Sequence, residues 1–304
     1  VERYEKLVGL LNADAAIVTR PENMRYLSGY TGEGCLFVCK DAHVVVTDFR
    51  YTEQAERQAP GWRVEMTKVG RGAWQVCAEL MAEFGLKTAA TETDYIIYDD
   101  FMALQKALAG CEVGSMSGVV ETMRQIKDEG EIACIKEAAR ISCKAFENLL
   151  GWVKPGMTEK EVQIRLDYEM LQLGSEKNAF ATIACAGVNG SLPHAIPSDH
   201  VIQKGELLTL DFGACHHGYL SDMTRTIGFG KIEGELRTIY QLVLDAQLMC
   251  LDAIAPGKSC REIDAIARNY LDARYPGRFG HGLGHGVGLF IHESPRFAMT
   301  STAT

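Results

Sequence analysis

One pattern occurs twice in this chain and constrains its fold more than any other. Residues 153–162 read VKPGMTEKEV, and residues 254–263, 101 positions further on, read IAPGKSCREI. In each copy Pro-Gly marks the end of one helix, and Thr or Ser followed three residues later by Glu forms a capping box that satisfies the free N–H groups of the next helix. One explanation is that the same helix-end signals occur twice independently, because S/T-x-x-E is common. The constant offset favours a duplicated unit of two helices followed by strands.

The first part of the chain alternates strand and helix patterns. Strands are expected at residues 15–19, 35–39, 43–47, 62–66 and 96–98, and helices at 51–57 and 73–83. This alternation predicts a separate α/β domain with a mixed sheet. A polar stretch at 124–131 marks a boundary and is followed by a long amphipathic helix that ends near Leu150. We therefore expect two domains, residues 1–122 and 123–304, in a chain of the α+β class.

Composition excludes several classes of partner. A net charge of -9 without a basic run argues against nucleic acid or an anionic membrane surface as the partner. No stretch approaches the roughly 20 apolar residues that span a bilayer. The ten cysteines form no C-x-x-C pair, which is typical of reduced thiols in a cytoplasmic protein.

Two aspartates stand in adjacent strand-like runs. Asp211 and Asp222 are separated by a polar segment that contains His216 and His217. If the chain folds back between these two histidines, the carboxylates lie directly opposite each other, with Cβ atoms roughly 5 Å apart. Facing carboxylates repel and a buried unpaired anion is costly, so a divalent metal between them is expected. The alternative is a surface hairpin with both carboxylates in water, and His216 and His217 are expected to be solvated turn residues.

The histidines are concentrated late in the chain. Seven of the eight follow residue 190, and three of them lie in the glycine-rich segment 280–293. Alternate glycines oppose a helix and suit a strand that lines a cleft, on which His281 and His285 would share a face. Two other histidines have alternative explanations: His194 can cap a loop, and His292 can form an ion pair with Glu293.

Several motifs together resemble a known family. They are NGSLPHAIP at 189–197, DFG at 211–213, SDMTRT at 221–226 and HGLGHGVG at 281–288. These resemble the pita-bread metallopeptidases of the Xaa-Pro aminopeptidase and Xaa-Pro dipeptidase (prolidase) family. YLSG at 26–29 and DFRY at 48–51 resemble the N-terminal domain of the creatinase and prolidase group, which methionine aminopeptidases usually lack. The resemblance implies a pita-bread catalytic domain, with pseudo-duplicated helices on a curved antiparallel sheet.

The resemblance also implies a site. Asp211 would chelate one metal ion, Asp222 would bridge two, and His285 would bind the other. The histidines His194, His281 and His292 would hold the substrate carbonyl or shuttle protons. Hard oxygen donors with one imidazole suit two divalent ions, Mn²⁺ first, with Co²⁺, Zn²⁺ or Fe²⁺ as alternatives.

The implied reaction is hydrolysis of the N-terminal Xaa-Pro bond of peptides or dipeptides through a metal-bridging hydroxide. Prolyl specificity rests on the resemblance alone, as does the expectation of a homodimer.

One departure from the family affects activity. The family completes its site with two glutamates that would lie beyond Thr304, and Glu293 matches neither position. Three ligands would hold two dications weakly. Three explanations compete: a fragment of a longer protein, a degenerate natural member, and carboxylates supplied by another subunit. Intact upstream motifs favour the first. The alternative functions are a non-catalytic pita-bread module that binds peptide or protein, and a metal-free amidinohydrolase like creatinase. Retention of Asp211, Asp222 and His285 counts against the last.

Overall fold

The computed structural model describes residues 2–304 of the chain. The chain forms two compact units, Val1–Ile126 and Lys127–Thr304, and each has its own buried core. Within residues 2–304, no helix combines the length and the apolar character that a membrane crossing requires.

The first unit is built around a six-stranded mixed sheet. Its strands run in the order β4-β3-β2-β1-β5-β6, with β1–β2 and β2–β3 antiparallel and the other three pairs parallel. The central strands are apolar along their whole length because helices cover the sheet. The strands and helices are β1 Ala15–Val18, β2 Cys35–Cys39, β3 His43–Thr47, β4 Arg63–Met66, β5 Thr88–Thr91, β6 Glu112–Ser115, α1 Arg3–Leu10, α2 Pro21–Ser28, α3 Thr52–Gln58, α4 Ala73–Glu83, α5 Tyr98–Ala107 and α6 Val119–Arg124.

One predicted strand of this unit is wrong. Residues 96–98 follow a turn and begin α5, and the strand of this region is β5, which ends at Thr91. Asp99 and Asp100 lie in the first helical turn, where the helix dipole favours negative charge. β5 reads TAAT, and its small side chains carry only a weak apolar signal.

The second unit contains both helix pairs of the duplicated pattern. The first pair packs on an antiparallel sheet ordered β11-β8-β7, and the second pair is followed by the ribbon β12–β13. A further two-stranded ribbon, β9–β10, continues the β8–β11 hairpin. The elements are α7 Glu129–Leu150, α8 Glu159–Gln172, β7 Ile183–Ala186, a 3₁₀ helix Asn189–Ser191, β8 Leu207–Phe212, β9 Cys215–His216, β10 Tyr219–Leu220, β11 Met223–Gly228, α9 Gly234–Ala253, α10 Cys260–Asp272, β12 Gly284–Gly286 and β13 Glu293–Phe297.

The predicted turn and helix cap are present between the helices of each pair. The glycine of each Pro-Gly pair has positive φ, 95° at Gly156 and 80° at Gly257, and lies in the turn between the two helices. At the start of α8, Thr158 forms the reciprocal capping box with Glu161. At the start of α10, the side chain of Ser259 accepts a hydrogen bond from the backbone N–H of Glu262. The helix pairs are therefore defined by local hydrogen bonding, and the apolar faces of α7 and α8 bury the sheet that carries the candidate site.

Candidate active site

The hairpin that carries both aspartates has a different register from the predicted one. Thr224, not Asp222, lies opposite Asp211, and Tyr219 lies opposite His216. The turn residues are therefore His217 and Gly218, which both have positive φ, 45° and 74°. A two-residue turn of this type matches the twist of the strands and requires positive φ at both positions, which glycine supplies at Gly218. The predicted fold-back between His216 and His217 is wrong for this reason.

The corrected register keeps both carboxylates on one face of the hairpin. Asp222 is two residues from Thr224, so it is the diagonal neighbour of Asp211 and not its direct partner. Thr224 fills the directly opposite position, and its hydroxyl donates a hydrogen bond of 2.9 Å to Asp211 Oδ1. The sequence argument missed this residue because only the register identifies it.

His285 joins the aspartates from the middle of β12. Its Nε2 lies 3.3 Å from Asp222 Oδ2, and each of these side chains is about a quarter exposed (25% and 26%). Its Nδ1 lies 2.9 Å from the carbonyl oxygen of Gly286. A carbonyl oxygen only accepts, so Nδ1 carries a proton, and Nε2 is the nitrogen that faces the Asp222 carboxylate. A proton shared by the two groups, or a cation, therefore lies between Nε2 and the carboxylate.

The electrostatics of the aspartates point to the same requirement. Burial raises the pKa of Asp211, and the negative charge of Asp222 raises it further. The hydrogen bond from Thr224 and the charges of His194 and His285 act in the opposite direction but do not cancel the rise. Burial also raises the pKa of Asp222, against the influence of His285 and His292. A divalent cation would offset both desolvation and mutual repulsion.

The donor set fits a metal ion by its chemistry. Ligand bonds of about 2.1 Å at tetrahedral to octahedral angles place neighbouring donor atoms about 3.0–3.4 Å apart, and the Asp222–His285 separation falls in this range. Throughout residues 2–304, however, no three His, Cys, Asp or Glu side chains converge as a complete metal-binding group. Asp222 and His285 are thus a direct pair, and Asp211 acts on them as a nearby charge.

Two further histidines surround this group. The ring of His292 packs edge-on against His285, with 4.5 Å between ring centroids. Burial lowers the pKa of His292, and the positive charges of His285 and Arg296 act in the same direction. His194 is an exposed loop residue whose charge acts on Asp211 and His292.

The neighbour of His292 in the chain has a different role. Glu293 is buried and forms its ion pair with Lys127 at 2.8 Å, and it also accepts a hydrogen bond from the backbone N–H of Phe290.

His281 does not lie on the strand that carries His285. β12 begins at Gly284, so the prediction that the two rings share a strand face is wrong. The Nδ1 of His281 donates to the carbonyl of Gly282 at 2.7 Å, and its ring packs against Phe279. Arg268 on α10 donates to the His281 carbonyl and holds this part of the chain as a bend.

Comparison with known proteins assigns a family to both units. Residues 133–304 match the model described as metallopeptidase family M24, and residues 1–126 match the creatinase/prolidase N-terminal domain. A Xaa-Pro dipeptidase from Pyrococcus horikoshii is 33% identical over 304 residues, which are 97% of this chain and 84% of that protein.

Solved structures agree with this assignment. A structure titled Xaa-Pro dipeptidase from Bacillus anthracis matches with a TM-score of 0.95 and 37% identity, covering 99% of this chain and 85% of that one. An X-Pro aminopeptidase from Thermotoga maritima matches with a TM-score of 0.92 and 32% identity, covering 99% and 86%.

Fold and matches together define an enzyme class. The second unit has the pita-bread fold, as the motifs predict, and the molecule is a peptide-hydrolysing metalloenzyme. The chain belongs to metallopeptidase family M24 and has a creatinase/prolidase-type N-terminal domain. The family implies divalent metal ions and a peptide substrate.

Proposed function

We propose that this enzyme hydrolyses the N-terminal Xaa-Pro bond of peptides or dipeptides in a metal-dependent reaction. The observation that carries the proposal is the approach of His285 Nε2 to the Asp222 carboxylate at 3.3 Å, beside the desolvated Asp211. Prolyl specificity is supported by the names of similar proteins, a Xaa-Pro dipeptidase and an X-Pro aminopeptidase.

Asp211, Asp222 and His285 are proposed to hold two divalent ions, with Mn²⁺ preferred over Co²⁺, Zn²⁺ or Fe²⁺. Carboxylate oxygens and a single imidazole are the donors that such ions accept. When bound, the ions would lower the pKa of a water molecule to supply the nucleophile and would polarise the scissile carbonyl.

The remaining histidines are proposed to act on the substrate. His194 and His292 lie close enough to the aspartates and to each other for their charges to interact. An imidazole N–H there can donate to the carbonyl oxygen, and a ring can transfer a proton to the leaving amine. His281 has the same proposed role, with Nε2 left available by the Nδ1 hydrogen bond to Gly282.

We also propose a cellular location, an oligomeric state and a domain division for this protein. The ten cysteines of the described residues are free thiols, which supports a cytoplasmic location. A homodimer, and a division into an N-terminal domain of residues 1–122 and a catalytic domain of residues 123–304, are proposed from the family resemblance.

The decisive experiment measures hydrolysis and metal content together. We expect Mn²⁺-dependent release of the N-terminal residue from Xaa-Pro peptides, much slower release from matched Xaa-Ala peptides, and close to two ions per chain by elemental analysis. Asp222→Ala should abolish metal uptake and hydrolysis, whereas Asp252→Ala, an exposed position on α9, should change neither. Two tightly held ions in Asp222→Ala would contradict the assignment, and peptide binding without hydrolysis would favour the non-catalytic module.

A further inference from the structure

A buried carboxylate lies in the first turn of α8, outside the group of site residues. The side chain of Glu159 is 0% exposed and accepts four hydrogen bonds. Oε1 accepts from the backbone N–H of Ala186 at 2.6 Å; Oε2 accepts from Asn189 Nδ2 at 2.8 Å and from the N–H and hydroxyl of Ser198 at 2.9 and 2.7 Å. Burial raises the pKa of Glu159, but these hydrogen bonds outweigh it and hold the pKa below its ordinary value.

The four donors lie at the two ends of one loop. Ala186 is the last residue of β7, and Asn189 begins the 3₁₀ helix that follows it, whereas Ser198 lies beyond His194. We call residues 187–197 the His194 loop. Two backbone hydrogen bonds fix its far end to the same turn of α8, from Lys160 N to Ser198 O and from Glu159 N to His200 O.

The His194 loop has little packing of its own. The large apolar side chains of Val188, Leu192 and Ile196 are exposed, at 89%, 56% and 79%, and only Ala195 of the loop is buried. A loop with so little buried apolar surface depends on its hydrogen bonds for a single conformation. Gly187 N donates to Leu207 O, and several local hydrogen bonds lie within the loop. The four hydrogen bonds to Glu159 are the ones that join both ends of the loop to a single side chain.

We propose that Glu159 is a positioning residue for the reaction, because its carboxylate clamps both ends of the His194 loop and thereby sets where His194 stands relative to Asp211. The inference rests on the proposed function, in which His194 contacts the substrate. Glu159 itself contacts no reacting group and acts only through the loop.

The first test uses hydrogen exchange of the metal-free protein and needs no substrate. Glu159→Gln keeps the shape of the side chain but turns an N–H₂ group toward at least one of the four donors. We expect amide exchange in residues 187–197 to accelerate about tenfold. Glu161→Gln is the matched control, because Glu161 lies in the same helical turn but, among residues 2–304, accepts hydrogen bonds from Thr158 alone. It should loosen the start of α8 and, through the two backbone hydrogen bonds from this turn, accelerate loop exchange far less than Glu159→Gln does. Unchanged loop exchange in Glu159→Gln overturns the proposal.

A milder variant tests the same proposal if Glu159→Gln does not fold. Ser198→Ala removes one of the four donors and leaves the carboxylate in place, so loop exchange should accelerate about threefold. In the same samples the imidazole resonance of His194, assigned from a His194→Ala spectrum, should move in Glu159→Gln and move far less in Glu161→Gln. An unmoved His194 resonance also overturns the proposal.

The last test asks whether Glu159 acts through His194. In a double-mutant cycle, Glu159→Gln should lower kcat/KM about tenfold in the wild-type background and hardly at all in the His194→Ala background. An equal loss in both backgrounds assigns Glu159 a general structural role and contradicts the proposal. If the wild type hydrolyses no peptide, only the proposed function is contradicted. Hydrogen exchange and the His194 resonance still test whether Glu159 holds the His194 loop.

Discussion

At the scale of single residues, the ring orientation of two site histidines is set by the glycine that follows each. His281 and His285 both direct Nδ1 at the carbonyl of the next residue, Gly282 and Gly286. This contact places a proton on Nδ1, so Nε2 is the nitrogen that can bind a metal ion when the ring is neutral. A His-Gly dipeptide can therefore determine the tautomer without any partner from elsewhere in the chain.

The hydroxyl of Thr224 is expected to tune the metal affinity of Asp211. Thr224→Val keeps the shape of the side chain and removes the 2.9 Å hydrogen bond to Asp211 Oδ1. Loss of a hydrogen bond that orients a ligand weakens metal binding about tenfold or more. Calorimetric titration with Mn²⁺ measures this loss. Thr226→Val is the control, since Thr226 lies two residues along the same strand and faces Thr209 instead; equal affinities in the two variants would contradict the role of Thr224.

At the scale of secondary-structure elements, one turn determines which residues face Asp211. His217 and Gly218 both adopt positive φ, and they fix the pairing of β9 with β10 and of β8 with β11. A different turn would change the register and move Asp222 away from its diagonal position.

Gly218→Ala tests the energetic importance of this turn. An alanine at φ of 74° is strained, so we expect the free energy of unfolding to fall by about 1–2 kcal/mol in urea denaturation. His217→Asn is the opposite control, because asparagine before glycine favours this turn, and it should leave stability equal or slightly higher. A neutral effect of Gly218→Ala would show that the register is held by other contacts.

The helix α10 holds the glycine-rich segment before β12. Asp264 is fully buried and accepts hydrogen bonds from Arg268 and from the backbone N–H of Leu283. Arg268 in turn donates to the carbonyls of Phe279 and His281. One ion pair thus satisfies backbone groups of a segment whose glycines provide few side-chain contacts.

Removal of this arginine should destabilise the second unit strongly. Arg268→Met leaves the Asp264 carboxylate buried without its cation, which typically costs about 3–5 kcal/mol. Urea denaturation measures the loss, and hydrogen exchange should accelerate in residues 279–285. The surface variant Arg261→Met on the same helix is expected to be within about 0.5 kcal/mol of wild type. Similar stabilities of the two variants would contradict the conclusion that the Asp264–Arg268 ion pair holds the segment before β12.

At the scale of the whole molecule, all six candidate site residues belong to one unit. They lie between His194 and His292, within Lys127–Thr304, whereas Val1–Ile126 has a separate core around its mixed sheet. A ligand stabilises the part of a protein that binds it, by an amount set by its concentration relative to its Kd.

Metal addition should therefore stabilise the two units unequally. With Mn²⁺ at a hundred times its Kd, amides of β8 and β11 are expected to exchange more slowly, by the equivalent of about 2.7 kcal/mol. Amides of β2 and β3 in the first unit should change much less. Exchange followed by mass spectrometry resolves both regions in one experiment. Equal protection of β2 and β8 would contradict a metal site confined to the second unit.

The parts of this protein that the sequence determined are those built from near neighbours. Pro-Gly turns, the Thr158 cap and the apolar runs predicted the two helix pairs and most strands, because each depends on residues a few positions apart. The motifs likewise identified Asp211, Asp222 and His285 as candidates.

Tertiary structure decided the rest. The diagonal placement of the aspartates follows from the turn at Gly218, and His281 leaves the strand because α10 holds its backbone. Glu159 meets donors 27, 30 and 39 positions away. Hydrogen bonds across such separations depend on how helices pack on the sheet, and spacing along the chain carries no record of that packing.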